Sequence, residues 1–283
     1  MDKLTIASIQ LPTLGMQATK IDFYLRNAYK RGVKLLLFGE YVLNHFFKEL
    51  SKMPIGMVQE QTQKRIEFLR VSAIEYDMVF IAPIVTIEEE KYMKKIAKVT
   101  PKSVSYYEQQ ILMPYSHWNE KEFFSNPIKP LKTTMIFQLD SFRIMVLGGF
   151  EVHFDIFWQT VIDKKIDLVL LPTASTFGSH NRWREIIKTK AFLHGCYILR
   201  ANRLGEFNQD GISWKFYGDS MLVEPTGEVY MMLEDRESML IETISKSVIK
   251  EHRKIWGFEK ELRIREKLLL KKLKTPNNIN IKS

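Results

Sequence analysis

Two periods of apolar residues run through almost the whole chain. Short runs of branched apolar residues read as strands, and apolar positions three or four apart read as helix faces. Strands are expected at Leu4–Ile9, Val33–Phe38 and Met78–Val85. A helix face at Ile21, Leu25 and Ala28 and a long helix near Val58–Tyr76 fall between them. Tyr92–Tyr107 reads as a hairpin pair about Thr100 and Pro101. Further strands fit Met135–Leu139, Phe142–Leu147, Asp167–Leu171, Cys196–Ala201, Ser220–Glu224, Glu228–Met232 and Ser238–Glu242. Helices fit Asp155–Lys165 and His180–His194. About eleven strands are too many for one open doubly wound sheet. Two stacked sheets with helices on their outer faces are the better layer solution. No linker composition or tandem repeat cuts the chain, so one domain is expected over residues 1–245, followed by a helical tail over 246–283.

Composition adds limits. At 45% hydrophobic and 27% charged residues the 283-residue chain is ordinary globular protein. No run approaches the roughly 18 apolar residues of a membrane span. The start, Met1 to Leu4, enters a strand without a secretory core. Cys196 is the only cysteine, so no internal disulfide or cysteine metal cage can form. The expected setting is reduced and cytoplasmic, with no membrane. From Lys250 to Ser283 there are eleven Lys or Arg against four Glu, which places +7 of the net +9 in the tail. A basic tail can hold nucleic acid. Glu259, Glu261 and Glu266 interleave with the basic residues, however, in the manner of surface pairs on a solvated helix, so nucleic acid is not the expected partner.

Four segments carry candidate chemistry. Leu35–Phe38 is a buried strand that leads through Gly39 to Glu40, and a carboxylate at a strand end is well placed for a cleft. Partial burial would raise its pKa toward the range of a general base. The second segment runs from Tyr106 through Gln109 to Pro114 and on through His117, Trp118, Asn119 and Glu120 to Phe124. The third is Phe142 to Glu151, a strand that enters a Gly148-Gly149 turn. The fourth combines Asp167–Phe177, Arg182-Trp183 and Ala191–Asn202.

In this order and spacing, together with Gly218–Val223 and Pro225–Glu228, these segments resemble the nitrilase superfamily of carbon–nitrogen hydrolases. The resemblance spans about Leu4 to Glu242. It implies a four-layer αββα sandwich in which a Glu, a Lys and a Cys meet at the strand ends. In that family the Cys attacks an amide or nitrile carbon, the Glu acts as base and the Lys stabilises the oxyanion. Carried over residue by residue, Glu40 falls on the general base and Glu120 on a second, supporting Glu. Tyr107 and Pro114 bracket the Lys position at Gln109. Gly148-Gly149-Phe150-Glu151 puts Gly149 at the Cys position. The resemblance also implies a substrate pocket near Phe150, Glu151, His153, Thr173 and Ser175.

On this reading the nucleophile and the cation are both missing. Covalent catalysis needs a lone pair at the attacking atom, and glycine offers only hydrogen. Loss of a nucleophile alone costs about 10⁶ in kcat in a well-studied protease. Gln109 offers a neutral dipole where a lysine would offer a charge. Glu40 and Glu120 would then lack a counter-charge, and one of them would hold a proton. Glycine at such an elbow could also relieve backbone strain.

Substitute nucleophiles are weak. Cys196 sits in a strand run and reads as core, His153 as a helix-start residue, and Ser175 and Thr176 as pocket-wall hydroxyls without a base. The six histidines lack metal-ligand spacing and no Gly-rich phosphate loop occurs, so no metal or cofactor is expected. Three readings stay open. The first is a family member that has lost hydrolysis and keeps a pocket for a small amide-like ligand or an assembly role. The second is an amidase with an unorthodox nucleophile or a water activated by Glu40. The third is a binding module in which the basic tail contacts nucleic acid or membrane. A homodimer or larger assembly is expected, through Phe154, Ile156, Phe157 and Trp158.

Overall fold

The computed structural model describes residues 2–15 and 18–274. Two six-stranded sheets lie face to face. In spatial order the first contains Ser238–Ser245, Lys3–Gln10, Leu35–Phe38, Val79–Glu88, Lys91–Val99 and Val104–Glu108. The second contains Val229–Met232, Met221–Val223, Tyr197–Asn202, Leu168–Thr173, Phe142–Val146 and Ile136–Leu139. Three neighbouring strands in each sheet are parallel: Lys3–Gln10, Leu35–Phe38 and Val79–Glu88 in the first, and Phe142–Val146, Leu168–Thr173 and Tyr197–Asn202 in the second.

The period of two along each strand sets the layers. Leu35 and Leu37 point into the core between the sheets, where they meet Leu168, Leu170 and Leu199. Leu36 and Phe38 point outward, under helices Ala18–Lys30 and Ile55–Tyr76. On the far side Val169, Leu171 and Ile198 pack beneath helices Asp155–Asp163 and His180–His194 through Phe157, Trp158, Ile187 and Ala191. The result is an αββα sandwich.

Several features depart from the sequence reading. A hairpin of Leu204–Gln209 with Ile212–Tyr217 was not anticipated, because its residues are largely polar and half exposed. Its turn signal was present, since Asp210 (φ 52°) and Gly211 (φ 74°) form the left-handed pair that a two-residue hairpin needs. Gly149–His153 is a short 3₁₀ turn, and the helix expected from Asp155 follows it. Phe157 and Trp158 are buried within the chain, so of the apolar surface expected on that stretch mainly Ile156 remains outside. The first part of the tail, helix Lys246–Trp256, packs on the body: Ile249 joins the core between the sheets, and Lys246 and Arg253 reach Asp167. Helix Phe258–Lys274 follows, and residues 275–283 of the expected tail lie outside the described residues.

Candidate functional site

Parallel strands gather their C-terminal ends on one side, and loops leaving those ends build the site. Glu40 leaves Leu35–Phe38 through Gly39. A Cβ at Gly39 would come within 3.2 Å of the Asn202 and Arg203 backbone, so the two sheets can approach there only over glycine. Tyr41 then takes a left-handed turn (φ 57°), and the Glu40 amide donates to the Thr173 carbonyl at 3.1 Å. These contacts fix the carboxylate between the sheets, 3% exposed.

Its partner is a residue that the motif reading passed over. Lys94, on strand Lys91–Val99, places its ammonium 3.2 Å from Glu40 Oε1 and 2.8 Å from Glu120 Oε1. Tyr41 donates its hydroxyl to the same Glu120 oxygen at 2.5 Å. The cation judged missing is therefore present, supplied by a neighbouring strand. Lys95 pairs with Glu108 in the antiparallel register, and the Gln109 amide donates to the Lys94 carbonyl at 3.2 Å, so Lys94 lies directly across from Gln109. Opposed residues of an antiparallel pair project to the same face, so the two side chains leave the sheet on one side. Asn126 clamps the pair: it accepts from the Lys94 amide and donates to the carbonyls of Lys94 and Gln109, each at 2.8 Å.

Charge and burial compete here. Burial raises the Glu40 pKa, Lys94 lowers it and Glu120 raises it, and the balance lies at about 7. Burial works against the Lys94 charge, but Glu120 and Glu40 outweigh it and hold the ammonium above its ordinary value. Two carboxylates around one ammonium leave a negative excess, and Glu40 meets it by keeping a proton toward neutral pH.

Gly149 lies alongside, its amide 3.4 Å from Glu40 Oε1. A Cβ there would meet the Pro172 carbonyl at 3.1 Å and Thr173 at 3.4 Å. Neither Gly148 nor Gly149 has a positive φ, so the strain that glycine was expected to relieve is absent. Gln109 is buried and its side-chain amide donates to the Ile111 carbonyl at 3.2 Å, while its side-chain oxygen Oε1 has no partner. Its amide lies over Gly148, only 2.6 Å from where a Cβ would stand.

Residues expected in the pocket separate into two groups. Phe150, His153 and Ser175 line a cleft of about 740 Å³, together with Thr176, His117 and Trp183. Glu151 and Thr173 do not. Glu151 is fully buried and ties the elbow to the Gln109 loop, accepting from Gly148 and Gln110 amides at 2.8 Å and from Tyr107 at 2.7 Å. Thr173 sits beneath the cleft floor and donates to Asn202 Oδ1 at 3.0 Å. Glu40, Lys94, Gln109, Gly149 and Glu120 are also absent from the cleft wall. A space lined by Glu40 and Lys94 measures about 10 Å³, too small for a substrate. Cys196 lies in the outer core, where burial pushes its thiol up to about 12.

A second buried network underlies the cleft. Arg200, fully buried, reaches Asp219 Oδ2 at 3.1 Å, Ser175 Oγ at 2.8 Å and Thr173 Oγ1 at 3.1 Å. Arg184 holds the other Asp219 oxygen at 2.5 Å. This network was missed because its charges lie far apart in the chain.

Known proteins share this fold. N-carbamoylputrescine amidase of Oryza sativa is 20% identical over 287 residues, covering 92% of each chain. The carbon–nitrogen hydrolase of Helicobacter pylori superposes with a TM-score of 0.79 at 18% identity, over 93% of this chain and 96% of that one. An amidase from Nesterenkonia, solved with acrylamide added to its active-site cysteine, superposes with a TM-score of 0.72 at 18% identity, over 90% and 98%. The carbon-nitrogen hydrolase family model matches residues 5–254. With that match over most of its length and the sandwich that carries it, the chain belongs to the carbon–nitrogen hydrolase family.

Proposed function

We propose that this chain is a member of the family that does not hydrolyse C–N bonds and keeps a small-molecule cleft. The observation that carries the reading is Gly149, an atom short of any nucleophile, beside a charged cluster that no part of the cleft reaches. The Nesterenkonia amidase bonds acrylamide through a cysteine; Gly149 can form no such bond. Glu40, Lys94 and Glu120 then act as a buried ionic core that holds the strand ends together. The buried thiol fits a reducing cytoplasmic setting, and copies associate through the exposed side of helix Asp155–Asp163.

The test is incubation with N-carbamoyl compounds, simple amides and nitriles, followed by mass spectrometry of protein and products. Neither acyl adduct nor turnover is expected. One observation favours a second reading: with its pKa near 7, Glu40 has the proton affinity of a general base for water. Turnover that disappears in Glu40→Gln would establish that reading and reject the first.

A further inference from the structure

The cleft is bordered by an unbroken arc of six rings. Phe177 meets His117 edge-on at 5.4 Å, and His117 stacks on Tyr115 at 5.9 Å. Tyr115 meets Phe150 at 5.7 Å, Phe150 meets His153 at 5.5 Å, and His153 meets Trp183 at 5.3 Å. All six line the cavity. Its volume of about 740 Å³ is within the usual range for a small-molecule site.

Charge is distributed unevenly around this arc. Among the described residues that line it none is an Asp or Glu, and Arg182 is the one permanently charged group. Arg182 is exposed in the first turn of helix His180–His194, where the helix dipole adds to its field. Arg184 and Arg200 are committed to Asp219. Among the described residues Arg182 has no ion-pair partner.

We infer that the cleft binds a planar aromatic molecule carrying one anionic group, its rings within the aromatic arc and its anion on Arg182. This rests on the reading that the cleft, and not the charged cluster, is the working part of the molecule. Ring faces alone would also accept a cation. Arg182 in the same wall, with no carboxylate to offset it, sets the preference for an anion. N-carbamoylputrescine ends in an amine, for which this wall offers no counter-charge.

Isothermal titration of the full chain with three probes tests the inference: 2-naphthoate, 2-naphthylmethylamine and cyclohexanecarboxylate. Naphthoate is expected to bind at least about tenfold more tightly than either of the others, because it alone offers both rings and anion. Arg182→Leu, at an exposed position that leaves the fold intact, is expected to weaken naphthoate by about tenfold or more and to leave the amine unchanged or tighter. Equal or tighter binding of the amine, an unaffected Arg182→Leu variant, or no naphthoate binding at about 1 mM would each overturn the inference. Naphthoate has no C–N bond, so its binding does not depend on hydrolysis. Turnover of another substrate would reject the proposed function and leave the titration to be judged by itself.

Discussion

Two neighbouring regions at the same strand ends follow opposite physical rules. The Glu40–Lys94–Glu120 cluster is buried and charged, and it is closed. The cleft beside it is aromatic and open, with a single free arginine. In the cluster one ammonium serves two buried carboxylates, so no member can be lost cheaply. In the cleft most rings are partly exposed and touch one another edgewise, so a single ring contributes little to folding. Gly149, its amide 3.4 Å from Glu40 Oε1, carries no side chain that could link the two regions. The charged half is part of the packed interior, and the aromatic half is an open surface.

Removing the central charge separates these rules most sharply. Lys94→Met would leave two buried carboxylates without a cation, an expected loss of about 3–5 kcal/mol by denaturant unfolding. Adding Gln109→Lys should recover much of it, because the two positions face each other across the strands. A loss below about 1 kcal/mol would mean that the cluster is not a stabilising unit.

The next effect depends on pH. Glu40 titrates near 4.5 when unfolded and at about 7 in the fold, so the folded state binds the extra proton between these values. Its contribution is fully present below pH 4.5 and is lost as pH rises through 7, a decline of about 3 kcal/mol. Glu40→Gln should flatten that part of the stability curve. An unchanged slope would assign it to other groups.

In the cleft the same scale should shrink. Tyr115 is 47% exposed, and Tyr115→Ala is expected to change stability by no more than about 0.5 kcal/mol while weakening aromatic ligands. A large loss of stability would make the arc a structural element like the cluster. The smallest effect is expected at the tail. Deletion of residues 258–283 should leave nucleic-acid binding absent at physiological salt. Tight binding that falls with a log–log slope near −0.9 per phosphate, and that disappears on deletion, would reverse that expectation.

The sequence by itself determined the layers and the glycine at position 149. Apolar alternation in Leu35–Phe38 and Leu168–Leu171 is a local property, and it specifies a strand covered on both faces wherever the strand lies. Gly149 is equally local, since no packing gives glycine a nucleophilic atom. Only the tertiary structure decided where the cation came from. Lys94 stands fifteen positions before Gln109, and along the chain it is one of several lysines in a strand. The signal was within reach: counting outward from the Thr100–Ser103 turn of the expected hairpin pairs Lys94 with Gln109. A motif read along one strand cannot register a charge carried by the next. Closure of the cluster and continuity of the ring arc were beyond any linear reading as well, because both depend on which side chains from distant loops fill a given volume. Pairing, burial and enclosed space are relations between segments, and they acquire values only when the segments meet.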